Sequence, residues 1–273
     1  MFEALARWRR RRLLEKYAFA DEAWNEALAP FRFFDRLSGE ERRRLRELVS
    51  LFCAEKEFAG AGGFEVTLRV QLTIAAQACL PILNLDLAFY RNWRSIVVYA
   101  GEALRVKRET VDEAGVVHQY EDEIVGEAGI DGPLVLAWQS VMEELPGEEP
   151  VCNAVIHEFA HRIDALSGET NGAPPLTRKF HPGMTRAQWQ VTMRHAYDEF
   201  CAEVGRWEAR GEREHEMPLI DPYAAEDAGE FFAVVSEVFF VRPAQLHGRF
   251  PELYRLLARY YCQEPLDAEG QGA

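Results

Sequence analysis

The sequence is short of positive charge: 31 Lys and Arg stand against 45 Asp and Glu in 273 residues, a formal net charge of −14. A surface of that sign repels a phosphate backbone and argues against direct nucleic-acid binding. No run of about 18 apolar residues occurs, so no segment is predicted to span a bilayer. Internal repeats and low-complexity linkers are also missing. The five cysteines (Cys53, Cys79, Cys152, Cys201 and Cys262) are odd in number and lack any C-x-x-C spacing. That is neither a disulfide framework nor a zinc–cysteine site, and it predicts reduced thiols in the cytoplasm. One basic cluster, Arg7 and Arg9 to Arg12 around Trp8, could pass for the start of a signal peptide. Glu15 and Lys16 bring charge back too soon for an apolar core, so the cluster reads as a solvated helical face.

What is present is enough apolar material to bury a core: hydrophobic residues make up 48% of the chain and aromatics 12%, which excludes a wholly disordered chain. Periodicity predicts helices between Asp21 and Lys56, where Ser38 and Glu41 have capping-box spacing ahead of Leu45, Leu48, Val49 and Phe52. A further apolar helix is predicted from Val70 to Leu80, stopping at Pro81. Later helices are expected over Asn153 to Leu166, Arg186 to Arg206, Gly229 to Val241 and Pro251 to Tyr261. Strand-like runs cover Ser95–Tyr99 and Pro133–Trp138, and the acidic stretch from Glu109 to Asp131 reads as hairpins and loops. The pattern predicts an α+β fold, mostly α-helical, in one compact unit. Residues 1–90 would form a helical part packed on a catalytic part over 91–265, with a disordered tail at 266–273.

The chemistry is concentrated in His157-Glu158-Phe159-Ala160-His161, an H-E-x-x-H motif inside an apolar helical pattern ended by Gly168. Four residues advance a helix by ~6 Å and turn it ~40° past one full turn, so both imidazoles face one point. That placement suits a single Zn²⁺ held by nitrogens at ~2.0–2.1 Å. Glu158 follows the first histidine, where its carboxylate can reach a water on the metal and act as general base. A third ligand must come from elsewhere. The longer H-E-x-x-H-x-x-G-x-x-H pattern is excluded, because its two remaining positions hold Asp164 and Ser167. His181 sits in a Pro/Gly-flanked loop and reads as a surface residue. Asp164 could turn toward the metal or support an imidazole from behind. Glu230 opens an aromatic-rich helix in which a carboxylate is costly unless a cation meets it. Glu237, two turns along the same face, competes with it.

Several segments carry a resemblance to a known family. They are Asn153 to Asp164 with Ser167-Gly168, Asn171-Gly172 and Pro174-Pro175; Asp221-Pro222-Tyr223-Ala224; and Glu230 to Phe240. With Ala75 to Leu83, Gly132 to Trp138 and Tyr260 to Pro265, they resemble the bacterial zinc peptidase family of Mlc titration factor A over most of the chain. The Tyr-to-Glu spacing and the E-F-F-A run are more distantly similar to the catalytic domain of anthrax lethal factor. The resemblance implies a zincin-like gluzincin with one zinc per chain, held by His157, His161 and Glu230. It further implies Glu158 as base, Tyr223 as a second catalytic group, aminopeptidase-type activity on peptides, a cytoplasmic location, and a repressor of the Mlc type as a protein partner. Gly229 departs from the family pattern, in which alanine is usual before the ligand glutamate. A competing expectation is a binding protein that sequesters a transcriptional regulator and uses zinc structurally. The Gly132–Trp138 strand is a candidate edge for adding an extended peptide.

Overall fold

The computed structural model describes residues 2–101, 104–111, 117–124, 132–142, 151–210 and 218–266. The chain opens with helices α1 (Phe2–Lys16), α2 (Asp21–Leu28) and α3 (Gly39–Glu55), followed by strand β1 (Glu57–Gly60) and helix α4 (Leu68–Cys79). Strands β2 (Ser95–Tyr99), β3 (Leu104–Val111), β4 (Val117–Ile124) and β5 (Leu134–Ala137) come next. The second half is helical: α5 (Trp138–Met142), α6 (Ala154–Asp164), α7 (Arg186–Arg210), α8 (Ala228–Val241), α9 (Pro243–Arg249) and α10 (Pro251–Tyr261). The fold is therefore α+β and mostly α-helical, as the sequence predicts.

Local chemistry accounts for most boundaries. Ser38 and Glu41 close the expected capping box at the start of α3, the serine hydroxyl accepting the Glu41 N–H and the glutamate accepting the Ser38 N–H. The basic cluster lies exposed on α1, where Arg10 pairs with Glu47 and Arg11 with Glu15. Two predicted bounds shift: α7 continues to Arg210, and the strand at 134–137 gives way at Trp138 to the short helix α5. Within the acidic stretch, β3 and β4 form an antiparallel hairpin pairing Leu104 with Ile124 and Val111 with Val117. Residues 112–116 and 125–131 of that stretch, and the predicted tail beyond Leu266, lie outside the described residues.

Three short strands form a parallel sheet in the order β1-β2-β5, with Phe58 opposite Ile96 and Ile96 opposite Leu134. This places β5 at a sheet edge among the described residues. Helix α8 is buried along nearly its whole length, from Gly229 to Phe240, and packs on α6. One hydrophobic core runs continuously from Trp24 in α2 to Tyr261 in α10.

Phe159, inside the H-E-x-x-H motif, ties α6 into that core. Its fully buried ring lies 5.7 Å from Phe52, 4.9 Å from Tyr90 and 5.4 Å from Trp93, centroid to centroid. Lys56 braces the same cluster, its ammonium donating to the carbonyls of Tyr90 and Trp93 and sitting 3.9 Å from the Trp93 ring centroid. The motif helix is thus held by aromatic packing on the side away from its histidines. Phe159→Ala should cost about 3–5 kcal/mol of unfolding free energy in chemical denaturation; a loss under about 1 kcal/mol would show that α6 is anchored otherwise.

Candidate metal centre

Asn153 starts α6 by accepting the Ile156 N–H at 2.8 Å, and a left-handed Gly168 (φ 107°) ends the turn that follows the helix. The helical spacing then works as expected. His157 Nε2 and His161 Nε2 lie 3.1 Å apart. Glu230, in the first turn of α8, brings one carboxylate oxygen to 3.1 Å from His157 Nε2 and 3.3 Å from His161 Nε2. Asp227 fixes that first turn by accepting the N–H groups of Gly229 and Glu230 at 2.7 and 2.9 Å.

Two imidazole nitrogens and one carboxylate oxygen at these separations match a metal-binding triangle. Ligands at ~2.0–2.1 Å in a tetrahedron stand about 3.3 Å from one another. Among the described residues this is the one cluster of His, Cys, Asp or Glu donors close enough to hold an ion. Its electrostatics point the same way. Burial alone would lower the His157 pKa, but hydrogen bonds to Glu230 and Glu237 outweigh it and lift it to about 10. Burial pushes the Glu230 carboxyl up, and both histidines together pull it well below the usual range. The pocket is therefore built around a positive charge, which a proton on His157 supplies in the absence of a metal.

The competing ligand candidates are placed elsewhere. Glu237 is buried behind His157, with Oε1 2.7 Å from Nδ1 and Oε2 accepting the Asn153 N–H. Asn153 in turn donates to Gln77 at 2.7 Å. Glu237 therefore orients the first histidine and leaves its Nε2 facing the triangle. Asp164 is fully buried and accepts the Gly172 N–H at 2.7 Å. His181 is the clear correction: it is buried, not a surface residue. Its Nδ1 accepts the Thr177 N–H, its Nε2 donates to the Tyr260 carbonyl, and its ring stacks on Tyr260. With both nitrogens engaged it has none left for a metal.

A cleft of about 210 Å³ opens beside His157. Glu158, Asp221 and Tyr223 line it together with the apolar Val151, Ala154 and Val234, and with Cys152, which alone of the five cysteines is exposed. Burial raises the Glu158 pKa against the pull of both histidines, the direction that suits a base shuttling a proton near neutral pH. Tyr223 is half exposed, its ring centroid 6.3 Å from that of His157. Burial and the neighbouring Glu230 raise its phenol to about 12, so it stays a hydrogen-bond donor. Asp221, which opens the resembling Asp221–Ala224 segment without a role of its own, holds this segment by accepting the Tyr223 N–H at 2.9 Å.

Two glycines explain how α8 reaches the site. A Cβ at Gly172, which has φ 72°, would lie 2.4 Å from the Ala228 carbonyl oxygen, and one at Gly229 would lie 2.7 Å from that of Thr170. The loop after α6 therefore touches the start of α8 backbone to backbone, leaving no room for a side chain at 229.

The family described as Glucose-regulated metallo-peptidase M90 matches residues 5–262. An uncharacterized protein of Synechocystis sp. is 34% identical over 236 residues, covering 86% of this chain and 81% of its own. Mlc titration factor A of Yersinia pestis and of Yersinia pseudotuberculosis are each 31% identical over 246 residues, covering 89% of this chain and 85% of theirs.

Zinc affinity of the metal-free protein should rise with pH between pH 7 and 9, because each ion must displace a proton that Glu230 and Glu237 help His157 to hold. Competition against a chelator, corrected for the chelator's own protonation, measures this. An affinity flat over that range would mean that His157 is neutral without metal.

Proposed function

The chain belongs to the Glucose-regulated metallo-peptidase M90 family, and from that premise we propose that it is a zinc-dependent peptidase of aminopeptidase type. The observation that carries this reading is the triangle of His157, His161 and Glu230, whose His157 also lines a cleft together with Glu158. Three protein donors and an adjoining cleft favour catalysis over a structural zinc site, which closes with four protein ligands. The zincin-like fold of the family agrees with the mostly helical architecture.

His157, His161 and Glu230 would hold the zinc, which would supply Lewis acidity to activate a water. Glu158 takes the proton of the attacking water and delivers it to the leaving amine. The Tyr223 hydroxyl donates to the oxyanion that develops on the scissile carbonyl. Glu237 and the Asn153–Gln77 pair hold His157 in the tautomer that turns Nε2 inward. The cleft is small, with acidic Asp221 on its wall and apolar Val151, Ala154 and Val234 around it. That suits a free α-ammonium group and one apolar side chain. Strand β5, at the sheet edge among the described residues, would offer main-chain pairing to the peptide that follows.

Several relatives carry the name Mlc titration factor A, and a repressor of the Mlc type is the protein partner we infer from it. The net charge of −14 fits a role in transcription exercised through such a protein and not through DNA. No described helix is long and apolar enough to cross a membrane. Five free thiols fit the cytoplasmic location we assign.

Glu158→Gln should keep its zinc and lose about 10²–10⁴-fold in kcat on amino-acid anilides, while Tyr223→Phe should lose about 10²–10³-fold. Acetylating the substrate amine should abolish cleavage. Wild-type activity in Glu158→Gln would refute the peptidase mechanism, and cleavage of acetylated substrates would refute the aminopeptidase assignment alone.

A further inference from the structure

The two histidines of the triangle differ in what stands behind them. His157 Nδ1 meets Glu237 at 2.7 Å. His161 Nδ1 is equally enclosed but has no hydrogen-bond partner, although Nε2 faces the triangle and the other nitrogen must then carry the proton. One turn further along α6, fully buried Asp164 shows the complementary defect. Its Oδ2 accepts the Gly172 N–H at 2.7 Å, while Oδ1 is buried and unpartnered. Residues three apart on a helix share a face, and buried donors and acceptors are rarely left unpaired.

We propose that Asp164 is the positioning residue of His161, its free carboxylate oxygen taking the Nδ1–H of the second histidine as Glu237 takes that of the first. The proposal rests on the metallopeptidase reading and adds to it a second carboxylate–histidine pair. The aspartate is itself held by the Gly172 N–H of the loop after α6. That loop also touches the start of α8 at Gly172 and Gly229. One loop thus sets two of the three donors, His161 through Asp164 and Glu230 through the first turn of α8. Burial at the end of α6 keeps Asp164 off the metal and behind its ligand.

The test uses the full-length, zinc-loaded protein with ¹⁵N-labelled histidine. Wild type should show two slowly exchanging, downfield Nδ1–H resonances, one lost in Glu237→Gln and the other in Asp164→Asn. An asparagine at 164 must set its NH₂ against either Gly172 N–H or His161 Nδ1–H, so zinc affinity should fall about 10–100-fold. Ser167→Ala removes hydroxyl contacts to the carbonyls of Asp164 and Ala173 and leaves the carboxylate alone; it should bind zinc like wild type. An Asp164→Asn affinity within about twofold of wild type, or a His161 resonance unchanged in that variant, would overturn the proposal. Should Asp164→Asn not fold, the wild-type spectrum decides, because a His161 Nδ1–H in fast exchange with water also overturns it. A wild-type protein that takes up no zinc would instead refute the metallopeptidase reading on which the proposal rests.

Discussion

Glu230 carries a negative charge into the first turn of a helix whose other faces are apolar and buried, and a charge in that setting is costly unless a cation meets it. The rest of the structure can be understood as the means of arranging that meeting. Helix α6 presents His157 and His161 one turn apart, α8 crosses it, and the carboxylate comes within 3.1–3.3 Å of both imidazoles. Without a metal, a proton on His157 answers the charge. With one, the donors lose that proton, which is why metal binding, protonation and the packing of α6 on α8 are a single problem.

Rigidity of the donors comes from features on either side of them. Phe159 locks the far face of α6 into an aromatic cluster reaching Phe52 in α3, so the first helices of the chain support the site as well as the later ones. Asp227 caps α8 just ahead of Glu230, and Gly172 and Gly229 let the loop after α6 come into backbone contact there. An alanine at 229 would place a methyl group against the Thr170 carbonyl in this chain.

Much of this was legible in the sequence because short-range geometry sets it. The H-E-x-x-H spacing fixes where two imidazoles point once the segment is helical, and an apolar helix with one early carboxylate announces a buried charge. Asp227 and Glu230 also have the spacing of an N-cap and its N3 partner, a signal that could have marked the start of α8 from sequence alone. Long-range contacts were not legible. Glu230 and Glu237 lie two turns apart on one face and compete as ligands on paper; only the crossing of α6 and α8 puts one at Nε2 and the other at Nδ1 of His157. His181 read as exposed because of its Pro and Gly neighbours, whereas stacking on Tyr260, about 80 residues later, buries it. Asp221, which carried the resemblance but no role, and Cys152 line the cleft although nothing in their local pattern marks a wall of a cavity.

The proposed zinc ligands are the imidazoles of His157 and His161 and the carboxylate of Glu230, with none of the five thiols engaged. X-ray absorption at the zinc edge of the loaded protein tests this most directly. The predicted spectrum has nitrogen and oxygen alone in the first shell at about 2.0–2.1 Å, with the outer-shell scattering of two imidazoles. A sulfur scatterer at about 2.3 Å, or the signature of a third imidazole, would contradict it.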